Sequence, residues 1–249
     1  MSQNFLNSIL TMTKYSHFTL LALVLTLWLA KVNAQPADRN RLQVLEKKAY
    51  QVAVNSDPTK RMVDANKLIP SLIMELRYAT RNNFTGKRMY PSLSNNCYLR
   101  EGVALALKAV SDSLLKKGFH LKIFDAYRPY AVTVRFWNLI RDPRYVANPN
   151  LGSEHNRGTA VDLTLVDGHS GKEIDMGTDF DDFSEAAHHS YGGHKAEVLE
   201  NRKTLKETME HFGFKSLETE WWHYSRPIPD RYPVLNVSFK ALAVLTAKD

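Results

Sequence analysis

The chain has 249 residues, of which 44% are hydrophobic and 24% are charged. This balance is typical of a globular protein with one domain or two small ones, and it excludes a low-complexity or disordered chain. The single cysteine, Cys97, excludes an intrachain disulfide. The net charge is +7, but the basic residues form no stripe and no stacking motif accompanies them, so nucleic-acid binding is not predicted.

The N-terminal segment has the features of a signal peptide. Lys14 precedes an apolar run at residues 18–30, which is shorter than the about 20 residues that a membrane span needs. Small residues before the end of the segment predict cleavage after Ala34, so residues 1–34 are removed and the protein is exported to the periplasm or the medium. Loss of Lys14 and Lys31 lowers the net charge to +5 and leaves no membrane segment. An uncleaved anchor is the alternative, because Lys31 lies close to the cleavage point.

The first elements of the mature chain are predicted from composition. A charged helix at about residues 39–54 lies within an N-terminal extension, residues 35–60, which we expect to pack on one domain formed by residues 61–249. Apolar residues at 62–79 indicate strand, interrupted by Pro70, and residues 82–90 are predicted as loop.

Helical spacing is clear in the next segment. Val103, Leu107, Val110 and Leu114 recur every three or four residues and predict a helix over residues 100–117, ended by Gly118. A strand is predicted at 119–124. The residues DAYRP follow it, and Pro129 is suited to open a helix that runs to about residue 140.

The second half alternates in the same way. A loop at 142–153 precedes a strand at 159–166, and a long connection rich in glycine and aspartate follows at 167–191, a length that is usually functional. A helix is predicted at 192–212, and a final strand runs from Phe214 into TEWWHY. The order predicts an α+β fold, a small mostly antiparallel sheet with helices packed on one face and polar clusters at the strand ends.

One cluster of polar residues has the composition of a metal site. In SEHNRGTAVDLTL, residues 153–165, His155 and Asp162 are both suitable zinc ligands. Gly158 permits a sharp turn that would bring His155 back beside the strand of Asp162. An ionised carboxylate between Val161 and Leu163 needs a partner, and a metal ion would be one.

The second cluster, TEWWHY, would complete that site. His223 is the natural third ligand, and Glu220 would be the base that takes a proton from water. Residues three apart in a regular strand point to opposite faces, so Glu220 and His223 meet at one ion only if the strand ends, twists or bulges between them.

Structural roles remain open for each motif by itself. A buried Asp–His pair is more often structural than catalytic, and a histidine after two tryptophans is more often packed than metal-bound. A rival metal cluster is formed in sequence by His188, His189 and His194, although hydrogen bonds that anchor the long connection are the simpler role for them. Cys97 has no partner ligand nearby in sequence.

The two clusters together resemble a known family. The pattern S-x-H-x-x-G-x-A-x-D at residues 153–162, the later E-W-W-H at 220–223 and the earlier Y-R-P at 127–129 are similar to the zinc-dependent D-alanyl-D-alanine dipeptidases of the vancomycin-resistance type. The similarity covers about residues 62–226. It is specific for the zinc-peptidase superfamily and less specific for the substrate, because related carboxypeptidases share the zinc motif.

The resemblance implies roles for five residues. His155, Asp162 and His223 would hold one zinc ion, Glu220 would be the general base, and Arg128 would face the developing oxyanion. For Arg128, a salt bridge to Asp125 is the structural alternative.

The resemblance also implies where the two ends of a substrate bind. Asp181 matches a position suited to an ammonium group, Ser153 one suited to the far end of the substrate, and Tyr78 would line the pocket. The rivals of Asp181 are its acidic neighbours Asp179, Asp182 and Glu185.

The expected activity is hydrolysis of D-Ala-D-Ala, or a similar D,D-dipeptide derived from the cell wall, by an exported zinc dipeptidase. Two alternatives stay open. One is a D,D- or L,D-carboxypeptidase acting on longer stem peptides of peptidoglycan. The other is a zinc-stabilised module that binds the cell wall without catalysis.

Overall fold

A computed structural model of the protein describes residues 42–92, 94–228 and 231–247. The predicted signal peptide, its cleavage point after Ala34 and the start of the predicted extension lie outside these residues. Residues 42–249 belong to one compact unit, which includes the part of the extension that the structure describes. Within the described ranges, no helix is long and apolar enough to cross a bilayer.

The strands are short, and most of them lie in one sheet. They are β1 (Val44–Leu45), β2 (Met62–Asp64), β3 (Ile73–Met74), β4 (Tyr98–Arg100), β5 (Phe119–Asp125), β6 (Ala160–Asp167), β7 (Lys215–Leu217), β8 (Glu220–Ser225) and β9 (Val234–Leu235). The main sheet has the order β3-β5-β6-β8-β7, in which only β3 and β5 pair in parallel. The predicted mostly antiparallel sheet is therefore confirmed. Two smaller ladders join β1 to β9 and β2 to β4.

Helices fill the connections between the strands. They are α1 (Lys47–Ser56), α2 (Ala65–Leu68), α3 (Glu101–Leu115), α4 (Tyr130–Ile140), α5 (Glu154–Arg157), α6 (Ala196–His211) and α7 (Phe239–Thr246). Helices α3 and α6 contact each other. Helix α3 also contacts β5, and helix α6 also contacts β7 and β8. Together with the sheet they establish the predicted α+β class.

Hydrophobic spacing places the longer helices correctly. Val103, Leu107, Val110 and Leu114 are fully buried on one side of α3, as their spacing predicts. The chain then adopts a positive φ of 84° at Gly118 and enters β5. Burial of this apolar stripe stabilises the helix far more than its intrinsic propensity does.

Three predicted elements differ from the structure. The helix predicted at residues 39–54 begins only at Lys47, because Val44–Leu45 forms a backbone ladder with Val234–Leu235. The strand predicted at residues 62–79 is divided by α2, which Asp64 caps through the amide of Asn66. The strand predicted from Phe214 onward is a hairpin, β7 and β8, with its turn at residues 218–219.

Candidate metal centre and active site

Asp162 and His223 meet because their strands are neighbours. In the antiparallel pair of β6 and β8, Asp162 lies directly opposite His223. Side chains at directly opposite positions of such a pair are close neighbours on one face of the sheet. The Oδ1 atom of Asp162 is 2.9 Å from Nδ1 of His223.

His155 reaches the same point from the single-turn helix α5. The side chain of Ser153 caps this helix in a capping box with Asn156, and Gly158 ends it with a left-handed φ of 72°. The positive φ favours glycine at this position, and a Cβ there would lie 2.7 Å from the end of the Met62 side chain, which would have to shift. The turn leads directly into β6 and sets His155 beside Asp162, as the sequence predicts.

Three ligand atoms converge with spacings that suit zinc. His155 Nε2 is 3.4 Å from Asp162 Oδ1 and 3.2 Å from Nδ1 of His223. The ligand atoms of a tetrahedral zinc with bonds of about 2.0–2.1 Å stand about 3.3 Å apart. The other ring nitrogen of His155 is 2.7 Å from the carbonyl oxygen of Ala126, to which it can donate, leaving Nε2 free for a metal. The donor set therefore fits zinc in both chemistry and spacing.

An irregularity in β8 brings Glu220 to the same site. The pairing of β7 and β8 shifts between Ser216 and Leu217, so that Leu217 pairs with Glu220 while Ser216 pairs with Tyr224. The strand therefore does not alternate regularly between Glu220 and His223. The Oε2 atom of Glu220 is 4.0 Å from Nδ1 of His223. This is the bulge that the sequence required if a base and a ligand three residues apart were to meet.

The electrostatics of the two carboxylates are opposite. Burial would raise the pKa of Asp162, but His155 and His223 outweigh it and hold that pKa well below the usual range. For Glu220, burial is the largest influence and raises the pKa to about 7. Asp162 is thus ionised as a ligand must be, while Glu220 can gain or lose a proton near neutral pH.

Arg128 makes the salt bridge to Asp125 that was the structural alternative for it, and it also lines the cavity. Its Nε and Nη2 atoms lie 3.1 and 2.7 Å from Oδ2 of Asp125, and the side chain is nearly buried. The same side chain lines the cavity that holds His155, Asp162 and Glu220. The structural and the active-site positions of Arg128 are therefore compatible.

The cavity has a volume of about 480 Å³, which suits a small ligand. Ser153, Asp181 and Tyr78 all line it, as predicted, whereas the rivals Asp179, Asp182 and Glu185 are not among its lining residues. A larger groove beside α1 is lined by none of the predicted site residues, so size alone does not identify the site.

Asp181 is held in an unusual environment. Its backbone has a positive φ of 65°, and the hydroxyl of Tyr78 donates to its Oδ1 over 2.9 Å. Its Oδ2 is buried and has no hydrogen-bond partner among the described residues. Burial is the largest influence on Asp181 and raises its pKa to about 7, although the hydrogen bond from Tyr78 and the charge of Arg128 lower it.

The other histidines lie elsewhere. Among the described residues, the only group of three or more metal-type side chains close enough for one ion is His155, Asp162 and His223. Instead, His194 lies 2.8 Å from the carbonyl oxygen of Ala186, and the backbone amide of His189 donates to Glu218. The ring of His194 thus holds the long connection, which is the simpler role considered for the histidines, whereas His189 contributes only its backbone amide and its buried Nε2 has no hydrogen-bond partner among the described residues. Cys97 is buried.

The two tryptophans pack on both sides of the irregular strand. Trp221 and Trp222 are almost fully buried, and the indole nitrogen of Trp221 donates to Oγ1 of Thr178 over 2.9 Å. Trp222 lines the cavity and contacts Phe180 and Phe183 edge to face. They hold the segment between Glu220 and His223 in place.

The sequence did not predict the network behind Arg128. The hydroxyl of Tyr90 donates to Oδ1 of Asp125 over 2.6 Å, whereas the guanidinium of Arg128 donates to Oδ2. Tyr90 lies in a segment predicted only as loop, and no local pattern marks it. Asp125 could have been recognised as a site residue, because it is a charged residue at the end of an apolar strand. From the sequence it was considered only as a salt-bridge partner of Arg128.

Comparison with known proteins agrees with the motifs. The family model Peptidase_M15, described as D-ala-D-ala dipeptidase, matches residues 58–239. A D-alanyl-D-alanine dipeptidase of Escherichia coli K12 is 38% identical, covering 73% of this chain and 92% of that protein. A protein with the same name from Enterococcus faecalis V583 is 34% identical, and the alignment covers 64% of this chain and 89% of that protein.

Similarity to solved structures is weaker. The structure titled "VanYB in complex with D-Alanine-D-Alanine" has a TM-score of 0.36 and 18% identity, covering 63% of this chain and 81% of that one. A TM-score of 0.36 is too low to relate the two folds. The family match and the relatives confirm the resemblance predicted from the motifs: the chain belongs to the D-ala-D-ala dipeptidase family of M15 peptidases, and it is a hydrolase.

Proposed function

We propose that the protein is an exported zinc dipeptidase that hydrolyses D-Ala-D-Ala or a similar D,D-dipeptide. One observation carries the proposal: three ligand atoms with zinc spacing share a small cavity with a carboxylate whose pKa is about 7. The relatives named D-alanyl-D-alanine dipeptidase support the choice of substrate.

His155, Asp162 and His223 would hold one zinc ion. Three protein ligands are the number that catalytic zinc sites use, because a fourth position must stay open. A bound zinc ion supplies Lewis acidity, which activates water near neutral pH and polarises the peptide carbonyl.

Glu220 is the general base in this proposal. It lies within 4.0 Å of a ligand atom of the site, close enough to accept a proton from the attacking water and to pass it to the leaving amine. A pKa of about 7 suits both transfers, because near neutral pH the carboxylate can accept a proton and the carboxylic acid can release it again.

Arg128 stabilises the negative charge that develops on the carbonyl oxygen. Asp125 holds the Nε and Nη2 side of the guanidinium, which fixes its orientation toward the cavity. A guanidinium remains charged throughout the reaction, so its N–H groups can donate to the oxyanion without a change of protonation.

The two ends of the substrate would bind different residues, a carboxylate at one end and a hydroxyl at the other. Asp181, with an unpartnered buried oxygen, would bind the ammonium group, and Tyr78 would orient that carboxylate. The hydroxyl of Ser153 would contact the far end of the substrate, since it lines the same cavity beside His155. Binding of a cation is what the raised pKa of Asp181 favours, because a cation compensates its buried charge.

Export is inferred from the N-terminal sequence. The apolar run at 18–30 and the small residues before Ala34 support cleavage there, which would place the enzyme with cell-wall fragments and favour a role in their salvage or remodelling. Mass spectrometry of the protein recovered from its producing cells should give a chain that starts at Gln35. A chain that retains residue 1 in a membrane fraction would contradict export by cleavage.

The product profile tests the activity. Zinc-loaded protein incubated with D-Ala-D-Ala should release free D-alanine, whereas stem peptides ending in D-Ala-D-Ala should be cut slowly or not at all. If the stem peptides are cut and the free dipeptide is not, the protein is a carboxypeptidase. If neither is cut by protein that carries zinc, the proposed activity is wrong.

A further inference from the structure

Tyr90 is a buried residue behind the active site. Its side chain is 3% exposed, and its ring packs edge to face on Tyr78 and on Phe239 of α7. Its backbone amide donates to the carbonyl oxygen of Tyr78 over 2.9 Å. The ring is therefore fixed from several sides, and its hydroxyl has little freedom to move.

The hydroxyl of Tyr90 makes one short contact, 2.6 Å to Oδ1 of Asp125. Burial, followed by the charge of Asp125, raises the pKa of Tyr90 well above its usual value. The phenol thus keeps its proton and acts as a permanent donor to a carboxylate, which is a strong kind of hydrogen bond.

The two oxygens of Asp125 accept hydrogen bonds from different residues, and Oδ2 also lies 3.6 Å from Nδ1 of His155. Oδ1 accepts from Tyr90, and Oδ2 accepts from both Nε and Nη2 of Arg128. The carboxylate has no exposed surface, so water cannot replace either partner. The side chain of Arg128 lines the cavity.

We propose that Tyr90 is a positioning residue, which locks Asp125 and thereby the guanidinium of Arg128 in the orientation that the reaction requires. Without the hydroxyl of Tyr90, Oδ1 of Asp125 loses its donor, and the carboxylate that orients the guanidinium is held less closely. The inference rests on the function proposed above, because it concerns the same site. A positioned donor contributes to the rate only when its geometry is held closely.

The test is Tyr90→Phe, which removes one hydroxyl and keeps the ring. We expect kcat on D-Ala-D-Ala to fall about tenfold, less than the roughly 10²–10³ that loss of an oxyanion donor costs, with KM within about twofold. The affinity for a phosphinate analogue of the dipeptide should fall by a similar factor, because such an analogue resembles the transition state.

The matched control is Tyr50→Phe. Tyr50 is also buried, and its hydroxyl accepts from the amide of Met62 in a region outside the cavity. This variant should lose stability but keep kcat. Tyr78→Phe provides a contrast, since its hydroxyl orients Asp181, and its main effect is expected in KM.

The decisive comparison uses Arg128→Lys as a background. If Tyr90 acts through Arg128, adding Tyr90→Phe to Arg128→Lys should change kcat less than twofold. A further tenfold loss in that background, or an unchanged kcat in the single variant, would overturn the proposal. If Tyr90→Phe does not fold, Asp125→Asn is measured in the same cycle with the same two outcomes. Wild-type protein that carries zinc but cuts no dipeptide refutes the proposed function, which is a separate result.

Discussion

At the scale of single residues, burial is the largest influence on the charge state of two carboxylates in the cavity. Glu220 and Asp181 both have a pKa raised to about 7, chiefly by burial. In contrast, Asp162 lies against two imidazoles and is held ionised. Of these three acidic groups, one is thus suited to bind a metal ion as a carboxylate, and the other two are suited to bind a proton or a cation.

Asp181 should make the stability of the metal-free protein depend on pH. A carboxyl with a raised folded pKa binds its proton more tightly when folded, so it costs stability as pH rises from about 4 to about 7. Asp181→Asn removes this cost and tolerates the positive φ at this position. We expect the variant to exceed wild type by about 4 kcal/mol in free energy of unfolding at pH 8 and to match it near pH 4.

Urea unfolding of both proteins, with a chelator present, measures that difference. The free energy of unfolding of wild type is subtracted from that of the variant at each pH, so that the contributions of the other titrating groups cancel. An advantage of Asp181→Asn that stays constant from pH 4 to pH 8 would show that Asp181 is not desolvated as described.

At the scale of elements, the local signals placed the long helices and the ligand strand. Apolar spacing predicted α3 to within two residues, and the alternation of Val161, Leu163 and Leu165 predicted β6. The ligand set came from two short motifs and their resemblance to a family. Gly158 gave the turn that joins His155 to Asp162.

The elements that were missed depend on distant partners. β1 has two residues and exists because Val234–Leu235 pairs with it, so no periodic pattern in the sequence could mark it. The sequence required an irregularity in β8 but did not show its form, in which Leu217 pairs with Glu220 across a hairpin whose turn the sequence did not indicate. The contact of Tyr90 with Asp125 joins residues 35 positions apart.

Trp221 should hold the long connection against β8. Its indole nitrogen donates to Thr178, which lies three residues before Asp181. Thr178→Val keeps the side-chain shape but leaves the buried N–H without an acceptor, which costs about 1–3 kcal/mol. We expect a loss of this size in the free energy of unfolding and a higher KM for the dipeptide. Thr80→Val, which alters a hydroxyl that binds a nearby carbonyl on an exposed turn, is the control.

Denaturant unfolding and steady-state kinetics give the two quantities. If Thr178→Val changes stability no more than Thr80→Val does and leaves KM unchanged, the connection is held by other contacts.

At the scale of the whole molecule, the metal site joins three elements. His155 comes from α5, Asp162 from β6 and His223 from β8, so one ion would link the helical turn and two strands of the central sheet. Since the described chain has no disulfide to perform this role, metal binding should contribute directly to stability.

Zinc should therefore raise the melting temperature. At a free concentration one hundred times its Kd, a ligand of the folded state adds about 2.7 kcal/mol, which is about 5–10 °C for a chain of this size. His223→Ala should abolish the shift, while His169→Ala, an exposed histidine outside the site, should keep it. Calorimetry with and without zinc measures both. An equal shift in His223→Ala would place the ion elsewhere.

The central claim is that one zinc ion and Glu220 act together in a hydrolytic centre. Its most direct test is the zinc content and the kcat/KM on D-Ala-D-Ala of wild type and Glu220→Gln, measured on the same preparations. The account predicts about one zinc per chain in both proteins and a loss of about 10²–10⁴ in kcat/KM in the variant, because only the proton acceptor is removed. A zinc-loaded Glu220→Gln protein that hydrolyses the dipeptide as fast as wild type would contradict it.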